Sequence, residues 1–236
     1  MNIGRVEVGP DQPVAIVAEI GTSHNGSLLL ARRLIREVAA AGATFVKFQC
    51  YTVDEMLALR GDGPAPEPWA GQTLGQLYAK ARTPLHWFVA LSAEAHRARI
   101  PWFSSAFGEE SIRTLSALGC PAYKVAALDS GNQALRDAVI RTGRPVITSH
   151  PTEVQLWADA TLYCPPGYPQ DWGEEEYRMD FHGLSYHGKN TWVPKWLSPV
   201  APIIEVHVEA DDAPSELDSH SSLTVSQLRE LCEAVR

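Results

Sequence analysis

Two lysines and two histidines stand at positions where their side chains could together bind an anion and a metal. Lys47 and Lys124 lie inside apolar segments. The alternative is two solvent-exposed lysines, but an unpaired ammonium group is costly inside an apolar segment, so each lysine is expected to bind a ligand. His187 and His207 close two later apolar segments, and neutral imidazoles are common ligands of divalent transition metals. The combination predicts a site for a phosphorylated anion beside a metal.

Three serines fall at equivalent places in other segments. Ser105, Ser149 and Ser185 each end an apolar segment of the strand type. One serine at a strand end is usually part of a turn. Three of them beside two lysines favour hydroxyl groups that line an anion site.

A carboxylate and an amide complete this polar set. Glu19 closes the first apolar segment, where a carboxylate can order a water molecule or transfer a proton. Gln49 lies two residues after Lys47, so both side chains point to the same face of one strand. Other histidines are expected in loops or on helix surfaces, although His24 lies in the first loop after a strand and could contact a substrate.

These residues require a fold that brings many strand ends together. Apolar segments alternate with helix-like patterns along the chain, which indicates parallel βαβ units. In a parallel barrel the carboxyl ends of the strands share one rim, where the chemistry is placed. The sequence therefore predicts an α/β fold, a (β/α)8 TIM barrel, as a single domain over 1–236. The predicted strands are 14–19, 44–49, 100–105, 121–126, 145–149, 160–164, 181–185 and 203–208.

Helices are predicted between most of these strands, from hydroxyl or amide caps at their starts and glycines at their ends. They cover 28–41, 83–99, 109–117, 132–141 and 224–236. A long excursion over 51–82 contains a glycine- and proline-rich stretch, and such a loop in a compact domain is more often a functional lid than a linker.

The crossovers after the fifth and sixth strands are short. Residues 150–159 are fewer than the dozen or more that a parallel crossover usually takes. Residues 165–180 begin with Pro165-Pro166-Gly167, which favours a loop with only a fragment of helix. The first could hold two helical turns, from Thr152 to Ala158. Apolar side chains left uncovered there, including Leu156, Trp157 and Trp172, predict a homo-oligomer.

Composition excludes several classes of protein. The chain has 236 residues, 45% of them hydrophobic and 20% charged, which is typical of a globular domain with a sizeable core. A net charge of −8 argues against a nucleic-acid partner. Four cysteines without paired spacing predict free thiols. No leader or membrane-spanning pattern is present, so we expect a cytoplasmic protein without a membrane partner.

Six motifs, in order along the chain, resemble the sialic acid synthase family. Their spacing matches through 14–236 except at the two short crossovers. The sequence ends with the barrel, so the resemblance covers that part and lacks the family's carboxy-terminal antifreeze-like domain. The motifs are Ala18–Gly26, Val46–Gln49, Pro121–Val125, Cys164–Pro169, Gly183–His187 and Glu205–His207.

The resemblance implies an enzyme that condenses phosphoenolpyruvate with an aldose or related aldehyde and releases phosphate. It implies that the lysines and serines hold phosphoenolpyruvate and that His187 and His207 hold a divalent metal, manganese first, with magnesium or cobalt able to substitute. Glu19 would move protons or orient water. Contacts to the acceptor are implied for Asp129, Tyr168 and Asp218. The predicted site is Glu19, Lys47, Gln49, Ser105, Lys124, Asp129, Ser149, Tyr168, Ser185, His187, His207 and Asp218.

Departures from the family pattern fall on the acceptor side. Leu128, His150, Pro166 and Tyr186 stand where the family has smaller or more polar residues, and the Gly-Pro that usually precedes the aspartate at Asp218 is missing. The phosphoenolpyruvate half is therefore expected to be kept and the acceptor half remodelled. Two alternatives stay open: a lyase or aldolase on the same scaffold, and a non-catalytic binding subunit.

Overall fold

The computed structural model describes residues 1–170 and 180–235. In chain order its strands are β1 Asn2–Ile3, β2 Val6–Glu7, β3 Ala15–Glu19, β4 Phe45–Cys50, β5 Trp102–Ala106, β6 Tyr123–Val125, β7 Val146–His150, β8 Ala160–Tyr163, β9 Gly183–Tyr186, β10 Ile203–Glu209 and β11 Ser222–Thr224. Its helices are α1 Leu28–Ala41, α2 Val53–Arg60, α3 Leu74–Ala81, α4 Phe88–Arg97, α5 Glu109–Ala117, α6 Gln133–Ile140, α7 Trp192–Leu197 and α8 Val225–Ala234.

Eight parallel strands, β3 to β10, form a closed barrel. Each pairs with the next along the chain, and β10 pairs with both β9 and β3, which closes the sheet. The predicted (β/α)8 barrel is therefore confirmed. All eight predicted strands lie within a few residues of observed ones. A further strand, β11, extends the sheet beside β10, and β1 and β2 form a small antiparallel hairpin.

The barrel strands are buried almost throughout. Every residue of β3 and of β10 is buried, as expected for parallel strands covered on both faces. Five residues with charged groups break this apolar pattern, and one of them, Glu209 at the end of β10, accepts hydrogen bonds from Ser215 and Ser219. The other four are Glu19, Lys47, Lys124 and Glu205, each at most 3% exposed. Because a buried charge must be paired, these residues must meet one another or a ligand.

Most predicted helices are present. Helix α1 ends at Gly42, whose φ of 99° is the left-handed conformation that glycine adopts readily. Asn132 and Thr224 cap α6 and α8. The helix predicted from 83 instead begins as a 3-10 turn at Leu85–Trp87 and becomes α-helical at Phe88. Thr83 does not cap it, because its hydroxyl lies 3.2 Å from Nε2 of His24.

The excursion over 51–82, predicted as a loop, contains two helices, α2 and α3. Each starts with a capping box, Thr52 with Glu55 and Thr73 with Gln76. Such reciprocal pairs satisfy two backbone N–H groups at once and were readable in the sequence. The Glu55 carboxylate also accepts hydrogen bonds from the backbone of α5. The excursion is thus attached to the barrel by polar contacts.

The predicted helical turns over 152–158 are wrong. The crossover after β7 carries no helix there, because side chains hold the backbone in turns. His150 Nδ1 accepts the N–H groups of Thr152 and Glu153 at 3.3 and 3.1 Å. The crossover after β8 is described only in part, and Trp172 lies outside the described residues.

The predicted homo-oligomer stays a prediction. Leu156 is 96% exposed, as that prediction assumed, whereas Trp157 is partly buried against the guanidinium of Arg136. Helix α7 exposes Trp192 and Trp196 as well. Among the helices of the described ranges, none has the length and apolar character needed to cross a bilayer.

Candidate active site

A cavity of about 820 Å³ opens at the carboxyl-end rim of the barrel, beneath the excursion. Its floor is polar and comes from the strand ends. Its wall is apolar and comes largely from the excursion and from neighbouring loops. The floor residues are Lys47, Gln49, Ser105, Lys124, Ser149, Ser185, His187, Glu205 and His207. The wall includes Tyr51, Met56, Trp69, Leu74, Tyr78, Phe107, Leu128 and Leu217.

Lys47 is neutralised by protein carboxylates. Glu19 lies opposite it in the β3–β4 pairing and forms an ion pair with its ammonium group. The Glu205 carboxylate lies 3.5 Å away, and Ser105 Oγ 3.3 Å away. Burial lowers the pKa of Lys47, but the charges of Glu19 and Glu205 outweigh that effect and raise it above its ordinary value. Lys47 is therefore charged and already paired.

Lys124 is less well compensated. Its ammonium group donates to Ser149 Oγ at 2.8 Å, and Glu205 lies 3.7 Å away. Burial lowers the pKa of Lys124, and the attraction of Glu205 offsets only part of that effect. An anion beside Lys124 would restore the charged form. Of the two lysines, Lys124 is the one whose electrostatics favour a bound anion.

Glu205, which is not in the predicted site, connects the two lysines. It lies within 4 Å of both ammonium groups and accepts a hydrogen bond from Ser185 Oγ at 3.0 Å. Burial raises the pKa of Glu205, but the charges of Lys124 and Lys47 outweigh that effect and lower the pKa to about 2. It shares a strand face with His207, two residues on. A glutamate inside the mostly apolar segment 203–208 indicates a buried, charged partner.

The two predicted metal ligands lie side by side. His187 follows β9, His207 lies in β10, and their ring centroids are 4.9 Å apart. Tyr168 contacts both rings, with centroid distances of 5.0 and 6.0 Å. Burial, and then the electrostatic effect of the neighbouring His207 ring, lower the pKa of His187 to about 3, so the His187 ring is neutral.

The two rings differ in their readiness to bind a metal. His207 Nδ1 lies 3.5 Å from a carboxylate oxygen of Asp218, an arrangement that leaves a lone pair on Nε2 for a metal. His187 Nδ1 instead lies 3.2 Å from the side-chain nitrogen of Gln170, a hydrogen-bond donor. His207 thus fits a metal ligand, and His187 does not fit in this hydrogen-bonding state. Over residues 1–170 and 180–235, no group of three or more His, Cys, Asp or Glu is placed to hold a metal.

Two of the predicted acceptor contacts reach the cavity. Asp218 lines it and accepts a hydrogen bond from Thr22 Oγ1 at 2.7 Å. Burial raises the pKa of Asp218, but the hydrogen bond from His207 contributes to a larger opposite effect, so the pKa lies below its ordinary value. Tyr168 also lines the cavity, and its hydroxyl lies 3.5 Å from His207 Nδ1. Both side chains are therefore placed beside the histidine pair.

Asp129 and Glu19 occupy different places from the rest of the predicted set. Asp129 is 4% exposed and pairs with Arg60 at 2.7 and 3.3 Å. Glu19 lies behind Lys47 and also accepts the N–H of Gly21. Neither carboxylate is among the described residues that line the cavity, whereas their partners Arg60 and Lys47 both line it.

Arg60 attaches the excursion to the barrel. Besides Asp129 it contacts the hydroxyl of Tyr78 at 3.4 Å. Burial lowers the pKa of Arg60, but the hydrogen bonds and charge of Asp129 raise it above its ordinary value. Because Arg60 ends α2 and Asp129 follows β6, this ion pair ties the cavity wall to the floor.

Replacing Arg60 with methionine is expected to loosen this attachment. It leaves the Asp129 carboxylate without its guanidinium, and a lost charged hydrogen bond costs about 1.5–3 kcal/mol. Hydrogen exchange of the α2 and α3 amides should accelerate accordingly. Arg82→Met removes the same group from an exposed position just after α3 and serves as the control. Equal exchange in the two variants would contradict the assigned role.

Comparison with known proteins gives consistent results. A family model described as the NeuB family matches residues 34–153. Pseudaminic acid synthase of Helicobacter pylori is 36% identical over 141 residues, which is 58% of this chain and 42% of that protein. Pseudaminic acid synthase of Campylobacter jejuni is 28% identical over 265 residues, which is 100% of this chain and 76% of that protein.

The fold comparison agrees with the sequence comparison. The crystal structure of N-acetylneuraminic acid (sialic acid) synthetase from Leptospira borgpetersenii superposes with a TM-score of 0.84 at 25% identity. The match covers 100% of this chain and 87% of that one. The similarity thus extends over the whole barrel, including the rim that carries the cavity.

Proposed function

The chain belongs to the NeuB family, and we propose that it condenses phosphoenolpyruvate with an aldose or related aldehyde and releases phosphate. The predicted resemblance to the sialic acid synthases agrees with that membership. So does the prediction of a synthase-type enzyme that forms a carbon–carbon bond, because the matched relatives are synthases. The observation that carries the proposal is Lys124, a buried cation at the cavity floor whose charge the protein compensates only in part.

Phosphoenolpyruvate suits this floor because it carries a phosphate and a carboxylate. Lys124 would bind one anionic group by a charge-assisted contact. Ser105 and Ser149 each accept a hydrogen bond from a lysine. A hydroxyl that accepts still has its own proton to donate, so both O–H groups are available to the ligand. Glu205 keeps the two ammonium groups on the floor and stays ionised.

The proposed reaction joins the two substrates, adds water and expels phosphate. The C=C π pair of phosphoenolpyruvate forms the bond from its methylene carbon to the aldehyde carbon, and the aldehyde C=O π pair moves to its oxygen. Water adds at the former enol-phosphate carbon and gives one proton to that oxygen, which becomes a hydroxyl. The carbon–oxygen bond to phosphate then breaks as the added oxygen loses its second proton, leaving a ketone and free phosphate. Lys124 and the serines would hold the phosphate throughout and stabilise its charge as it leaves. The apolar wall limits water around the reacting atoms. Since Glu19 lies behind Lys47, we assign it the role of positioning that lysine.

A divalent metal remains part of the proposal, with manganese as the first candidate. His187 and His207 are the residues that would hold it, and a bound metal would polarise the aldehyde carbonyl. The carboxylate beside His207 supports this assignment, and the donor beside His187 opposes it.

Phosphate release tests the proposed function. The purified chain, with phosphoenolpyruvate and a panel of aldoses with and without manganese, is expected to release phosphate only when both substrates are present. With phosphoenolpyruvate below saturation, Lys124→Met should lower the rate of release by about 10- to 100-fold under the same conditions. Release from phosphoenolpyruvate alone, or no release with any aldose, would contradict the proposal.

A further inference from the structure

The geometry around His187 carries an inference about Gln170, a residue with no role in the sequence analysis. We propose that Gln170 is a positioning residue that holds His187 in the tautomer with its proton on Nε2. The ring then directs an N–H group, and not a metal-binding lone pair, into the cavity. The inference uses the proposed function to identify the site, but the tautomer can be tested without any substrate.

Three hydrogen bonds connect the two residues. The backbone N–H of Gln170 donates to the His187 carbonyl at 2.9 Å. The backbone N–H of His187 donates to Gln170 Oε1, also at 2.9 Å. The Gln170 side-chain nitrogen lies 3.2 Å from His187 Nδ1. Gln170 is 5% exposed, so these contacts are shielded from water.

The orientation of the Gln170 amide is fixed by its neighbours. Its oxygen accepts the His187 backbone N–H, and its nitrogen donates to the Pro165 carbonyl at 2.6 Å. Turning the amide by 180° would place its NH2 group against an N–H and its oxygen against a carbonyl. Both contacts would become repulsive, so the nitrogen stays beside His187.

The fixed amide decides the tautomer of His187. An amide nitrogen donates and cannot accept, so Nδ1 must supply the lone pair and the proton of the neutral ring lies on Nε2. The Cys164 thiol, 3.8 Å from Nδ1, is a second possible donor to the same atom. An imidazolium would place two N–H groups against each other. His207, whose Nδ1 faces the Asp218 carboxylate, takes the opposite tautomer.

This arrangement limits metal binding. To ligate a metal through Nε2, His187 must move its proton to Nδ1, where it would meet the Gln170 amide. For His187 and His207 both to offer an Nε2 lone pair to a metal, residue 170 would have to be a hydrogen-bond acceptor for His187 Nδ1–H. Partners of this kind typically change metal affinity by about 10- to 100-fold, so the wild-type chain should bind a divalent metal weakly.

Nitrogen-15 NMR of the histidine-labelled protein, free of metal and substrate, tests the tautomer directly. The proton of His187 is expected on Nε2 and that of His207 on Nδ1, with the resonances assigned by His187→Asn and His207→Asn. A wild-type His187 protonated on Nδ1 would overturn the proposal. Because no substrate is present, this result is independent of the phosphate-release test.

Two substitutions test the consequence. Gln170→Glu supplies an acceptor and should shift the His187 proton to Nδ1 and raise manganese affinity by about 10- to 100-fold in calorimetric titration. Gln170→Met removes the donor without adding charge and should give a smaller gain. Gln49→Glu is the control: it adds the same charge to the cavity floor without touching His187, and so measures how much added charge alone raises manganese affinity. If the tautomer and affinity in both Gln170 variants equal those of the wild type, the inference is wrong.

Discussion

Replacing Lys124 with methionine is expected to weaken phosphoenolpyruvate binding by about one to two orders of magnitude. The ammonium group is the incompletely compensated cation of the cavity floor. A charge-assisted contact of this kind contributes about 1.5–3 kcal/mol, and methionine keeps a side chain of similar length without the charge. Calorimetric titration with phosphoenolpyruvate measures the loss.

The fold should tolerate this substitution. Burial already lowers the pKa of Lys124, so the empty protein gains little from its charge. Glu205 would keep Lys47 as a partner at 3.5 Å. Lys80→Met is the matched control, because Lys80 is an exposed lysine of α3 that pairs with exposed Glu216. Unchanged affinity in the Lys124 variant, or an equal loss in the Lys80 variant, would show that Lys124 holds no substrate.

The barrel was predictable from local patterns. Each strand appears in the sequence as a short apolar segment because parallel strands are buried on both faces. The polar residues that interrupt those segments stood out for the same reason. Lys47, Lys124, His187 and His207 were found in this way, and the structure brings all four to one cavity floor.

The partners of these residues were not predictable, because they depend on which elements meet in space. Glu205 reaches Lys47 because β10 closes the barrel beside β3. Gln170 and His187 are 17 residues apart in the chain, and no local pattern predicts that they form a hydrogen bond. Asp129 was assigned to the acceptor by resemblance alone. Its pairing with Arg60 depends on how the excursion folds over the rim.

The excursion shows a different limit. Its glycines and prolines over 61–68 suggested an irregular loop, and they outweighed two capping boxes that predict helices. Thr52 with Glu55 and Thr73 with Gln76 were both present in the sequence. Local signals conflicted there, and the breaker residues occupy only the connection between α2 and α3.

Lys47 gives the prediction with the largest effect on stability. Replacing it with methionine leaves Glu19 buried without its cation and leaves Glu205 with Lys124 alone. Removing one partner of a buried ion pair typically costs about 3–5 kcal/mol. Denaturant unfolding at neutral pH should show a fall of that size in the free energy of unfolding. Lys47 also lines the cavity floor, so phosphoenolpyruvate binding should weaken in the same variant.

The sign of the pH dependence follows from the pKa of Lys47, which the folded state raises. The stabilisation is therefore complete below the unfolded pKa and is lost only as the pH rises through the higher folded value. At neutral pH it is fully present, which makes that the right condition for the comparison. A second substitution then separates charge from packing. Adding Glu19→Gln to Lys47→Met removes the unpaired carboxylate at nearly constant volume and should restore much of the lost stability. If the single variant unfolds like the wild type, or the double variant is less stable than the single, the ion pair is not what holds β3 and β4 together at the rim.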